Sequence, residues 1–225
     1  MKTKKNTWII ITLIIISCVI MAIVDGIIQP GYVIKSAVKI VLFLALPLIY
    51  SRFDKGIDLK SLFKINKKSL VKSLALGIPI YAVIVVGYLL LKDVFDFSAI
   101  TGALTDGVGV NRDNFVFVSL YISFVNSLLE EFFFRGFAFL SLKKLTLRKF
   151  SYIFSALAFA LYHVAMMSGW FSPLLFLLVM GGLFAGGVIF NYLNEKSENI
   201  YTSWLVHMFA NFAINTVGFI LFGII

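Results

Sequence analysis

The sequence predicts an all-α fold, a polytopic membrane helix bundle of about seven transmembrane helices. Three observations carry that prediction. Hydrophobic residues fill 60% of the 225 positions and charged residues only 14%, a balance foreign to soluble domains. The apolar residues, 24 Phe among them, fall in long blocks. Each block comes near the roughly 20 residues that take a helix across about 30 Å of hydrocarbon at 1.5 Å per residue.

The first block follows a basic start in "MKTKKNTWIIITLIIISCVIMAIV". Its apolar run from Trp8 to Val24 is longer than a signal-peptide core, and no small-residue cleavage site ends it. "IISCV" has bulky Ile where lipoprotein processing needs small residues, so the block reads as an uncleaved span over 7–27. The second span, 33–50, is the weakest, because Lys35 and Lys39 lie on one helical face near its start; both are expected to snorkel to the interface. The third covers 70–91. After it, 92–114 with "TGALTDGVGVNRDN" is the longest non-basic connection and is expected to be flexible. The remaining spans are 115–140, 151–168, 173–193 and 200–223. In the sixth, Gly182 and Gly186 have the small-xxx-small spacing that lets a neighbouring helix approach. Trp8 and Trp170, near span ends, read as interfacial anchors. Residues 1–114 hold three spans and 115–225 four, in one integrated membrane domain.

Charge fixes an orientation. The net charge of +9 does not form one patch, which argues against a nucleic-acid partner. Lys2, Lys4 and Lys5, then Arg52, Lys55, Lys60, Lys64, Lys67 and Lys68, then Lys143, Lys144, Arg148 and Lys149 occupy alternate connections. The opposite loops carry Asp25, Asp93, Asp96, Asp106 and Asp113 with only Lys92 and Arg112. The positive-inside rule then puts the N-terminus in the cytoplasm and the C-terminus outside, in a multi-pass protein of the cell membrane. The single cysteine, Cys18, rules out a disulfide framework and a Cys-based metal site.

Against this background "LLEEFFFRGF" is anomalous, since charges within a bilayer cost a few kcal/mol each. Glu131 and Arg135 are four apart and can pair on one helix face. Glu130 points elsewhere and must be protonated, find a partner on another helix or face a wet cavity. Phe132, Phe133 and Phe134 face lipid or neighbouring helices. Both histidines of the chain also fall inside spans: His163 in "LAFALYHVAMM", His207 in "WLVHMFANF", with Asn211 one turn after His207. Each alone reads equally well as polar glue between helices. Together they are the groups that activate water and stabilise an oxyanion. Counted at 1.5 Å per residue, Glu130, His163, His207 and Asn211 lie roughly 10 to 18 Å from the cytoplasmic ends of their spans, which permits them to share a layer.

"EEFFFRG", "FALYH" and "HMFAN" match the EExxxR, FxxxH and HxxxN motifs, in order, of the CAAX protease and bacteriocin-processing (CPBP, or Abi) family of intramembrane proteases. The resemblance covers about 115–215. It implies a CPBP-type protease core in 115–225 and an endopeptidase with its active site in the bilayer, opening towards the cytoplasm. It implies Glu130 as general base acting with His163, His207 and Asn211 as the oxyanion pair, and Glu131 with Arg135 as a positioning pair. The family has been described both as metalloprotease and as metal-free glutamate protease. If a divalent metal such as zinc is present, the candidates to hold it are Glu130, His163 and His207, without an HExxH motif. The implied partner is a membrane-embedded or lipid-anchored peptide or protein in the lipid bilayer. A non-catalytic bacteriocin-immunity or scaffold protein of the same fold is the alternative. A proton-coupled carrier is a third reading, lowered by the lack of an inverted repeat.

Overall fold

The computed structural model describes residues 2–54, 56–65 and 67–225, with the side chains of residues 2 and 3 excepted. Of the basic residues counted for orientation, Lys55 and the side chain of Lys2 therefore lie outside the described part. Among the described residues eight helices order the chain. They are α1 (Lys4–Ile28), α2 (Tyr32–Phe53), α3 (Lys67–Leu91), α4 (Ser98–Val108), α5 (Phe115–Leu145), α6 (Arg148–Met166), α7 (Pro173–Ser197) and α8 (Tyr201–Leu221). All but α4 are long and apolar enough to cross a membrane, and they follow the seven spans expected from sequence to within a few residues.

Three expectations need correction. The connection 92–114 is not a featureless loop, because α4 occupies its middle and closes on Gly109 in the left-handed conformation at φ 71°, which glycine adopts without a Cβ clash. Gly182 and Gly186 are not the close-packing positions, since a Cβ at either would meet nothing within 4 Å. That role falls to Gly187, where a Cβ would stand 3.0 Å from the Ala156 backbone of α6. Lys35 and Lys39 do not snorkel: both turn inward, Lys35 onto Asp25 at 2.7 Å and Lys39 onto Glu130.

Helix α5 is the hub. Its segment Glu131–Leu140 winds as a π-helix with all ten residues buried, since α1, α2, α6 and α7 pack against it. A helix apolar on every side is stable only when so enclosed. Phe132, Phe133 and Phe134 therefore face helices: Phe133 stacks on Phe43 of α2 at 4.1 Å, and Phe134 meets Phe159 of α6 edge-on at 5.4 Å. A second π turn, Val41–Ala45 in α2, comes just before Pro47. Proline has no N–H for the carbonyl four residues back and its ring crowds that carbonyl, so the wider turn absorbs the misfit.

Polar ties fix the neighbours. Ser155 donates to the Phe134 carbonyl at 2.8 Å and Asn191 to the Tyr152 carbonyl at 3.1 Å, joining α5, α6 and α7. Helix α3 lies along α8, with Gly77 giving room to the Phe209 ring. The segment after α2 folds back so that Leu62 seats against Gly136 and its carbonyl accepts the Ile200 N–H at 3.0 Å.

Candidate active site

Glu130 sits at the midpoint of α5, where the α-helical turn Ser127–Glu130 gives way to the π segment. Such wide turns recur at functional sites because they re-aim side chains. Its carboxylate is buried, with 2% of the residue exposed, and its two oxygens have different surroundings. Oε1 accepts from Lys39 Nζ at 2.5 Å and from Asn126 Nδ2 at 3.0 Å. Oε2 faces His163 Nε2 at 4.0 Å and His207 Nε2 at 3.8 Å.

The far nitrogens of both imidazoles are tied down. His163 Nδ1–H donates to the Phe159 carbonyl at 2.8 Å; a carbonyl only accepts, so neutral His163 carries its lone pair on Nε2. His207 Nδ1 bonds Glu131 Oε1 at 2.9 Å, and Glu131 Oε2 pairs with Arg135 Nε at 3.4 Å. Thus Arg135 holds Glu131, Glu131 holds His207, and His207 presents Nε2 to Glu130. The Arg135 guanidinium is fully buried and lies 4.0 Å from the Phe159 ring centre and 5.0 Å from that of Phe190. Phe190 also stacks on the His207 ring at 5.3 Å.

The structure thus brings together Glu130, Glu131, Arg135, His163 and His207. Asn211 stands one turn beyond His207 on α8, with its amide donating to the Ile122 carbonyl at 3.1 Å. This bond clips α8 to the π turn Ile122–Asn126 of α5. Of the four groups counted into one layer, Glu130, His163 and His207 face one another. Sequence reasoning missed Lys39 and Asn126. Asn126 is four residues before Glu130 on the same face, a signal available locally. Lys39 had a signal only in combination, as a lysine in an apolar span with no acid near it and a Glu in another span with no base.

The donor atoms that face one another, Glu130 Oε2 and the two Nε2 atoms, are of the kind zinc accepts. Their spacing is not: ligands of a tetrahedral zinc stand about 3.3 Å apart when the bonds are near 2.0 Å, closer than the separations here. Among the described residues no three His, Cys, Asp or Glu side chains close round a metal ion. The ammonium of Lys39 on the same carboxylate further opposes a second cation. As arranged, the residues do not fit a resident metal.

Comparison with curated proteins and with solved structures finds no match. Residues 112–213, from just before α5 to within α8, match the family model Rce1-like, described as type II CAAX prenyl endopeptidase Rce1-like, so that a little under half of the chain is similar to that family.

Proposed function

We propose that the chain is an intramembrane endopeptidase that hydrolyses a membrane-embedded or lipid-anchored peptide or protein with water activated by Glu130 and His163. Similarity of residues 112–213 to the Rce1-like family supports a CAAX-type endopeptidase in general. The observation that carries the finer reading is the facing of Glu130 Oε2 and His163 Nε2 at 4.0 Å, two acceptors that a single water oxygen can bridge at about 2.8 Å from each.

A water held there donates one proton to each acceptor and turns its lone pairs towards a substrate carbonyl. Attack forms the carbon–oxygen bond, the water proton passes to Glu130 Oε2, and the carbonyl becomes an oxyanion. His207, held through Nδ1 by Glu131, stabilises that oxyanion from Nε2. Asn211 uses one amide N–H on Ile122 and has a second to give. Glu130 then hands its proton to the leaving amine as the carbon–nitrogen bond breaks. General acid-base help of this type contributes roughly 10² to 10⁴ in rate and an oxyanion donor roughly 10² to 10³.

The test is cleavage of a panel of fluorogenic membrane peptides by purified wild type, Glu130→Gln and His163→Ala, each with and without a zinc chelator. The expected result is turnover by the wild type that resists chelation and falls at least about 10²-fold in each variant. Chelator-sensitive turnover would replace the metal-free scheme by one in which Glu130, His163 and His207 hold a divalent ion. Equal, measurable turnover by wild type and Glu130→Gln would overturn the role given to Glu130, and no turnover by the wild type on any peptide would overturn the enzyme reading in favour of a scaffold or immunity protein of the same fold.

A further inference from the structure

We infer that Lys39, outside the segment that the family model matches, is a positioning residue of the same reaction: with Asn126 it occupies one oxygen of Glu130 so that the other is left to water. The inference rests on the endopeptidase reading above.

Lys39 enters from α2 and is 3% exposed. Its ammonium lies 2.5 Å from both Glu130 Oε1 and Asn126 Oδ1. Asn126 completes a triangle by donating Nδ2–H to the same Oε1 at 3.0 Å. Every donor to the carboxylate from these two residues thus falls on Oε1, while Oε2 faces the two imidazole Nε2 atoms. A carboxylate free to rotate would exchange its oxygens; one pinned at Oε1 keeps Oε2 aimed. The ammonium is itself fixed by the rings beside it, at 4.9 Å from the centre of Tyr162 and 5.4 Å from that of Phe43, contacts that favour a cation over the ring face. Tyr162 directly precedes His163, so the residue that seats the lysine is on the helix that supplies the second acceptor.

The competing account is a purely structural ion pair. A buried pair is a poor device for stability alone, because an apolar pair of similar volume commonly does as well or better. The neighbouring lysine on the same face, Lys35, shows the alternative: it pairs with Asp25 nearer the helix start and reaches no residue of the site. The charged groups that act on Lys39 are Glu130, Lys35 and Asp25, and of these it hydrogen-bonds Glu130.

The experiment measures kcat and KM for wild type, Lys39→Met, Lys39→Gln and Lys39→Arg on a peptide that the wild type cleaves, with thermal stability of each in detergent. Misaiming a reacting group by about 1 Å costs about 10²-fold. Lys39→Met is therefore expected to lower kcat about 10²-fold with KM within about threefold, the pattern of a lost transition-state interaction. Lys39→Arg, which keeps the charge and the donors, should recover to within about tenfold of wild type. Should Lys39→Met fail to fold, Lys39→Gln carries the test: it keeps a donor to Oε1 without the charge and is expected to lose at least about tenfold in kcat. Wild-type kcat in whichever of these two variants folds, or a loss confined to KM, overturns the inference and leaves the endopeptidase reading standing. A wild type that cleaves no peptide overturns the endopeptidase reading first.

Discussion

Arg135 is fully buried, as is its partner Glu131, and its guanidinium lies over the rings of Phe159 and Phe190. Lysine is not an equivalent there, because the delocalised, weakly hydrated guanidinium is the cation better suited to a buried place among aromatic rings beside a carboxylate. Arg135→Ala should cost about 3–5 kcal/mol, since it strands Glu131 in the core without its cation; a lower yield of monodisperse protein and a lower Tm in detergent would register the loss. Asn211→Ala separates two roles. Loss of a clip to Ile122 alone costs about 1 kcal/mol of stability, whereas loss of an oxyanion donor lowers kcat about 10²-fold; the proposed mechanism expects both, read by thermal unfolding and steady-state kinetics. The Glu131–Arg135 pair was legible in the sequence because helical spacing brings i and i+4 together. The Lys39–Glu130 pair was not, because it joins distant helices and only the packing of α2 on α5 decides it. The tautomers of the histidines were equally hidden, since they follow from which carbonyl or carboxylate lies behind each ring.

Helix positions were legible because span length and apolar content are properties of contiguous sequence. Faces were less so. The spacing of Gly182 and Gly186 shows what α7 could offer a neighbour, but α6 in fact approaches one residue further on, at Gly187. The glycines therefore divide by what surrounds them. Gly77→Ala would drive a methyl into the Phe209 ring, wedging α3 from α8 at a cost of about 1–3 kcal/mol. Gly182→Ala meets open space and should leave stability unchanged or raise it by up to about 1 kcal/mol through better helix propensity. Thermal unfolding of the two purified variants against wild type measures the contrast. Helix α4 was missed for a related reason: its short, glycine-containing sequence buries no residue, so no apolar stripe announced it.

The matched family segment supplies Glu130, both histidines and Asn211, yet the site it forms is finished by Lys39 and walled by Phe43, both from α2. Domain halves drawn from the motifs alone thus understate how far the first helices enter the chemistry. The distribution of Lys and Arg predicts an N-terminus in the cytoplasm and a C-terminus outside; reporters fused at each end, one active only inside and one only outside, should give opposite signals. On the proposed endopeptidase reading, the burial of Glu130 at the midpoint of α5 has a consequence for any chain that is cut there. In hydrocarbon a peptide carbonyl is held by its own helix and hidden from attack. A substrate must therefore present a locally unwound stretch, so the protein would sort membrane segments by how readily their helices come apart. Gly or Pro placed beside the scissile bond of a Leu-rich test segment should raise kcat/KM about tenfold, the rate equivalent of roughly 1.4 kcal/mol of helix already undone.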